Sequence, residues 1–436
     1  MKLNIRRTAL VGFAFMSICA FWQLYDGVVP LVLKNNFGIP DGIAGVIMAM
    51  DNVFAVFLLP FFGTLSDRCR SRLGKRTPFI ITGTALSVIL MNLLPVSLKI
   101  RSFALFIAAL ALLLVAMGVY RSPTVALMPD VTPKPLRSKA NAIINLMGAI
   151  GGVFTLAVTT VLVTKNAAGE EDYTLLFAAV SVLMVIAVAV LVICVREKKL
   201  TDENQIVNDE YDRQTGESEQ IVNASGKSGF ASLKPEVAKS LVLILLTVFF
   251  CYMGYNAVSS ALTKFFSVRW GYDIKTASQC MMVAVVGAVV SYIPVGLFSA
   301  KLGRKNMVRI GAALLSLSFL AASFIGEFTF VVYIIFAVIG LAWAIINVNT
   351  YPMVVEISGS GDVGKFTGYY YTFSMSAQIV TPILSGFLLQ YIGYSSLLPY
   401  AALMAAIAFV MISFVKHGDA RPAKPKSVLE AFDVSD

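Results

Sequence analysis

The sequence predicts an all-α polytopic membrane protein with twelve transmembrane helices in two six-helix repeats. Three observations carry that reading. Of the 436 residues, 58% are hydrophobic and 14% charged, with a mean hydropathy of +0.79, whereas about a quarter of a soluble domain is charged. The apolar residues gather into twelve runs, each long enough to cross about 30 Å of hydrocarbon, which takes roughly 20 residues at 1.5 Å each. A basic loop after the second run, Gly63-Thr-Leu-Ser-Asp67-Arg68-Cys-Arg70-Ser-Arg72-Leu-Gly74-Lys75-Arg76-Thr-Pro78, recurs in shorter form as Gly296-Leu-Phe-Ser-Ala300-Lys301-Leu-Gly303-Arg304-Lys305.

The runs are 8–33, 43–63, 78–98, 102–126, 140–163, 174–194, 239–263, 276–299, 307–326, 330–354, 368–390 and 394–415. Basic residues precede the first, as in a cleavable leader, but the run continues past Trp22 to Leu33 without a small-residue cleavage site, so it reads as a retained helix. The loop from Gly63 holds five of the 35 Lys and Arg residues. Such clustering between apolar runs marks a cytoplasmic loop. Short connections such as Lys99-Ile-Arg101 imply antiparallel neighbours. The fourth run closes with Arg121-Ser-Pro-Thr-Val-Ala-Leu-Met-Pro-Asp130 and the tenth with Asn347-Val-Asn-Thr-Tyr-Pro-Met-Val-Val-Glu356, a carboxylate ending each at the same spacing.

These repeats divide the chain into a bundle at 1–195, a polar linker at 196–238 expected to be disordered, a second bundle at 239–415 and a tail at 416–436. Parallel repeats of this kind are expected to place a substrate site between the halves near the bilayer midplane. The net charge of +10 follows the positive-inside rule rather than nucleic-acid binding: 27 Lys and Arg fall on one side, seven on the other, and Arg121 lies within a run. Both termini are therefore expected in the cytoplasm. The tail's Arg421-Pro-Ala-Lys424-Pro-Lys426 reads as solvated or as lying near anionic lipid. Five cysteines without ligand spacing argue against a metal site or a disulfide framework. No nucleophile–base constellation or phosphate loop argues for an enzyme.

The loop Gly63 to Lys75, an acid followed by basic residues around a glycine, resembles the loop signature of the major facilitator superfamily. Its longer form, Ser66 to Ile80, resembles the sucrose transporters and their relatives in the glycoside–pentoside–hexuronide:cation symporter group. Similar in the same way are Ala126-Leu-Met-Pro-Asp130 followed by Arg137-Ser-Lys-Ala-Asn141, Gly340-Leu-Ala-Trp343-Ala with Pro352, and Phe366-Thr-Gly368 with Ser385-Gly-Phe387. The resemblance implies a secondary active transporter that imports a sugar or glycoside, sucrose- or maltose-like, by alternating access and is coupled to protons, with Na+ as the other coupling ion. Two departures bear on coupling. Melibiose-type relatives carry two acids in the second helix where this chain has Ala55 and Leu59, and plant sucrose transporters carry an acid where this chain has Leu114. A proton site must use other residues. Exporters of drugs or metabolites with the same fold, and a non-transporting sensor, are the alternatives; the exporter reading draws on Gly148-Ala-Ile-Gly151-Gly152.

A charge within hydrocarbon is costly unless paired or hydrated, so each one is a candidate for function. Asp26, beside Gln23, and Asp51, beside Asn52, lie at similar depth and can face one cavity. Asp26 is the first choice for a proton carrier, since the only histidine, His417, is in the tail. Asp51 can also be simply hydrated near the outer interface. Arg121 either pairs with a buried acid or snorkels to the interface. Tyr255, Asn256, Trp343, Asn347, Asn349 and Gln378 offer stacking faces and amide groups for a sugar, or hydrogen bonds between helices. At the inner face, Asp67, Arg68, Arg72, Gly74, Lys75, Arg76, Asp130, Arg137, Arg304 and Glu356 are the residues from which the resemblance implies a salt-bridged gate. Ala300 and Lys301 replace the acid in the second loop, so the gate is expected to be asymmetric. The remaining expectations are a monomer in a bacterial plasma membrane, with lipid and a small sugar as partners and no cofactor.

Overall fold

The computed structural model describes residues 3–133, 136–165, 170–215, 233–357 and 363–418. Among them are twelve helices long and apolar enough to cross a membrane. The first six are α1 (Ile5–Asn35), α2 (Asp41–Asp67), α3 (Thr77–Lys99), α4 (Phe103–Val131), α5 (Arg137–Leu162) and α6 (Thr174–Cys194). A further helix follows, α7 (Glu197–Thr215). The other six spans are α8 (Pro235–Phe265), α9 (Ile274–Leu302), α10 (Arg304–Ser323), α11 (Val331–Glu356), α12 (Val363–Tyr391) and α13 (Leu397–Ser413). A small antiparallel hairpin, β1 (Thr164–Lys165) with β2 (Glu171–Asp172), joins α5 to α6 and pairs Thr164 with Asp172. Asp172 then caps α6, accepting from the Thr174 amide at 2.8 Å and its hydroxyl at 2.5 Å. These bonds hold the Asp172 carboxyl below its ordinary pKa, because they favour the ionised form.

Two expectations need correction. The linker is not disordered at its start: α7 is helical, with Glu197 1% and Asn204 5% exposed. Its polar composition looks solvated, but Leu200 packs on the apolar core and the Asn204 amide reaches the Asp130 carbonyl at 3.4 Å. The rest of the linker, 216–232, and the tail from 419 lie outside the described residues. The seventh span does not stop at residue 263. It runs through Lys264 and a π-helical turn, Phe266–Trp270, to Gly271, whose φ of +69° suits glycine. A charge at 264 looks like the end of an apolar run, but here the ammonium is buried and paired.

The described chain forms two compact units, Met1–Asn208 with Ala261–Met282, and Asp209–Ser260 with Val283–Asp436. The segment Ala261–Met282, the end of α8 and start of α9, thus groups with the first unit, although its sequence falls in the second repeat. In the first unit α1 is the centre, buried along most of its length and packed chiefly on α5 and α6. Small residues make that approach possible. A Cβ on Gly151 would run into the Met16 carbonyl, and one on Gly148 into Phe15 and Cys19. In the second unit α10 packs on α11 and α13, and Gly340 of α11 lies against the Ala284 carbonyl of α9.

Candidate functional site

The first unit brings Asp26, Asp51 and Arg121 into one group. On α1, Trp22 and Gln23 lie four and three residues before Asp26 and so neighbour it on the helix surface. Asp51 and Asn52 come from α2 and Arg121 from α4. Asp26 and Asp51 lie within electrostatic reach of each other, as do Asp51 and Arg121. The Asn52 amide donates to Asp51 Oδ1 at 2.7 Å, and the Arg121 guanidinium sits 5.4 Å from the centre of the Trp22 ring. Asp26, Asp51 and Arg121 are half-buried, and at Gly27, next to Asp26, an added Cβ would meet nothing within 4 Å. Tyr25, fully packed with its ring edge-on to Trp22 at 5.5 Å, donates to the Met48 carbonyl at 3.4 Å, tying α1 to α2. Of the two readings for Arg121, the geometry favours engagement with an acid and an aromatic face over snorkelling. Two carboxylates facing one guanidinium are electrically balanced when the pair holds one proton.

The second unit gathers aromatics. Tyr255 of α8 stacks on Trp343 of α11, with centroids 3.9 Å apart and planes 7° apart. Tyr252, one turn earlier, meets the same indole edge-on at 4.9 Å and donates to Asn347 Oδ1 at 3.0 Å. The Asn347 amide donates to the Trp343 carbonyl at 3.0 Å, and Tyr370 of α12 lies 3.4 Å from the Tyr252 hydroxyl. Asn256 Nδ2 has no hydrogen-bond partner among the described residues. Gln378 is half-buried and its amide reaches the Ser374 carbonyl at 3.5 Å. Asn349 differs from the rest: it is fully buried and bonds back to the Ile345 carbonyl at 2.8 Å, which suits helix packing rather than a cavity wall.

At the end of the first unit where α2 and α4 finish and α3 begins, buried Arg76 is the hub. It pairs with Asp67 of α2 and Asp130 of α4, the latter at 2.8 Å, and donates to the Ser66 hydroxyl and, at 3.3 Å, to the Gly63 carbonyl. Lys75 adds a 3.5 Å contact to Asp130. Arg68 and Arg72 are exposed and make no ion pair among the described residues, so they do not join the network. Arg137 donates to the Pro129 and Thr132 carbonyls at 2.9 and 3.3 Å, capping α4, and meets no acid among the described residues. Gly74 has φ +120°, and a Cβ there would strike Glu197. The second unit pairs Arg304 with Glu356, joining the start of α10 to the end of α11.

Sequence reasoning missed four features. Glu197 accepts from the Arg76 amide at 2.8 Å and from the Thr77 amide and hydroxyl at 2.7 and 2.6 Å, capping α3. Asp41 takes Lys34 on one oxygen at 2.6 Å and Lys264 on the other at 3.1 Å, with Asp41 and Lys264 both about 5% exposed. A lone lysine at the end of an apolar run was the available signal. Tyr252 was legible as the residue one turn before Tyr255. Tyr370 carried no signal of its own among the tyrosines at 369–371.

The family model described as Major Facilitator Superfamily matches residues 11–290 and again 244–434. Among curated proteins, the chain is similar to sucrose transport protein SUC4 of Arabidopsis thaliana, 30% identical over 138 residues, covering 28% of this chain and 27% of that one. It is also similar to SUC3 of the same plant, 27% identical over 138 residues, covering 27% and 23%. The chain thus spans about a quarter of the length of these relatives. Among solved structures, a POT family transporter in complex with 5-aminolevulinic acid superposes with a TM-score of 0.69 at 10% identity, over 94% of this chain and 95% of that one. A D-xylose-proton symporter superposes with a TM-score of 0.65 at 14% identity, over 95% and 98%. At such identities the superpositions speak to the fold: two six-helix repeats.

Proposed function

The chain belongs to the Major Facilitator Superfamily, and from that premise we propose that it is a secondary active transporter importing a sugar or glycoside by alternating access, coupled to protons. The observation that carries the reading is the half-buried intramembrane group Asp26–Asp51–Arg121. One guanidinium balances one carboxylate, so the second can accept and release a proton as access alternates. Asp26 is assigned that proton, because Asp51 already has Asn52 and Arg121 as partners. Na+ is the less favoured coupling ion, since Ala55 and Leu59 stand where the sodium-coupled relatives carry acids.

The sugar assignment rests on the Tyr255–Trp343 stack with Asn347 and the free Asn256 amide. Flat aromatic faces cover sugar C–H surfaces, and amides match hydroxyls as both donor and acceptor. The sucrose transport proteins to which part of the chain is similar support the same class. Gly148 and Gly151 pack α5 on α1, so these glycines do not by themselves favour the exporter reading. The proposed setting is a bacterial plasma membrane with both termini in the cytoplasm.

The test is uptake of labelled sugars into proteoliposomes under an imposed pH gradient. Accumulation should require the gradient, and Asp26→Asn should abolish accumulation while sparing exchange of internal for external sugar. Accumulation driven by a sodium gradient alone, or Asp26→Asn accumulating like wild type, refutes the assignment.

A further inference from the structure

A cavity lies in the first unit between the end of α6, the basic loop and α7, on the side that the sequence expectation places in the cytoplasm. Its volume is about 530 Å³, inside the roughly 300–1,000 Å³ range of small-molecule sites. Arg72, Arg196, Lys198 and Lys199 supply four cations against the two carboxylates of Asp202 and Glu203. Lys199 and Glu203 approach to 3.8 Å, so the other three cations have no acid in contact among the described residues. The cavity runs along α7, a helix of 19 residues, from Lys198 to Ile206.

The other wall is apolar. Val192 and Val195 line it from the end of a span, and Leu73 and Ile206 stand on it 51% and 70% exposed. Apolar surface left in water costs about 25 cal/mol per Å², so cations facing exposed aliphatic side chains match an amphiphile better than a soluble anion. The walls are held in place: Glu197, buried behind them, is bonded to the loop at Arg76 and Thr77, and Thr77 lines the cavity.

We infer that this cavity binds the phosphate headgroup of an anionic phospholipid of the inner leaflet, with its acyl chains running along the end of α6. The assignment is independent of which substrate or ion the protein carries. The site answers to net charge and to attached chains together.

The experiment is native mass spectrometry and thermal unfolding of the full chain in neutral detergent, titrated with phosphatidylglycerol, phosphatidylcholine, glycerol 3-phosphate or inorganic phosphate. Three arms are compared: wild type, Arg196→Gln/Lys198→Gln/Lys199→Gln, and a control that removes equal charge from exposed sites elsewhere, Lys234→Gln/Lys239→Gln/Lys416→Gln. Each basic residue at an anionic surface is worth about a fivefold change in binding. Phosphatidylglycerol should therefore bind and stabilise wild type and the control, and bind the cavity variant on the order of a hundredfold more weakly. Equal effects of the two lipids, or equal losses in the two variants, would overturn the site. Stabilisation by the soluble phosphates equal to that by phosphatidylglycerol would overturn the lipid assignment.

Discussion

Glu197→Ala tests the claim that the start of α7 is part of the scaffold of the first unit. The carboxylate is 1% exposed and accepts three hydrogen bonds of 2.6–2.8 Å, two of them from the first amides of α3. Hydrogen bonds to a charged acceptor contribute about 1.5–3 kcal/mol each, and an anion at a helix N-terminus adds about 0.3–1 kcal/mol. Truncation next to an exposed loop lets water replace part of this, which brings the net loss to roughly 2–4 kcal/mol. The cost falls on local opening, so hydrogen exchange is the sensitive assay. Amides of Arg76 and Thr77 should exchange about 30- to 1,000-fold faster in the variant, following the population of the open form. A Gly74→Ala substitution should produce a similar opening, because its Cβ would strike Glu197 and its φ of +120° strains any side chain. Adding Glu197→Ala to Gly74→Ala should relieve the clash and leave the strain, so the double variant should open less than the two single losses combined. Unchanged exchange at Arg76 and Thr77 in Glu197→Ala would refute the reasoning.

Three further outcomes follow from the same geometry. Asp67→Asn removes one charge from the Arg76 network but leaves Asp130 in place; with Asp67 57% exposed, the loss of about 1 kcal/mol should shift the resting conformation roughly fivefold, seen by accessibility labelling, and slow uptake without abolishing ligand binding. Asp41→Asn leaves Lys264 buried without its charge partner, so thermal unfolding in detergent should show a loss of about 3–5 kcal/mol, and Asp41→Asn with Lys264→Met should recover most of it. Trp343→Ala should raise the half-saturating sugar concentration about 2- to 12-fold, as expected for losing a stacking face of about 0.5–1.5 kcal/mol, whereas Trp343→Phe should stay within about twofold; equal effects would argue that the indole only packs on Tyr255.

Legibility followed the range of the interactions. The spans were readable because hydrocarbon tolerates neither charge nor unpaired backbone, so their residues must be apolar and helical over a fixed length. The repeat was readable from two loops and two helix ends with matching spacing. Asp26, Asp51 and Arg121 could be picked out singly, since charges are scarce within the runs. That they act on one another is a matter of how α1, α2 and α4 pack, and no spacing along the chain encodes it. Composition misled where a polar segment had a buried anchor, as at Glu197, and where a charge was neutralised from a distant helix, as at Lys264.

By itself, the sequence determined a twelve-span membrane protein of two repeats and the residue types available for chemistry, because burial in lipid constrains each residue locally. Only the tertiary structure decided which of those residues meet. It separated Arg76 from the neighbouring exposed arginines, set Trp343 face to face with Tyr255, and moved Ala261–Met282 into the first unit. The physical reason is that ion pairs, stacking and hydrogen bonds act over a few ångströms in space, between residues as far apart in the chain as Asp41 and Lys264.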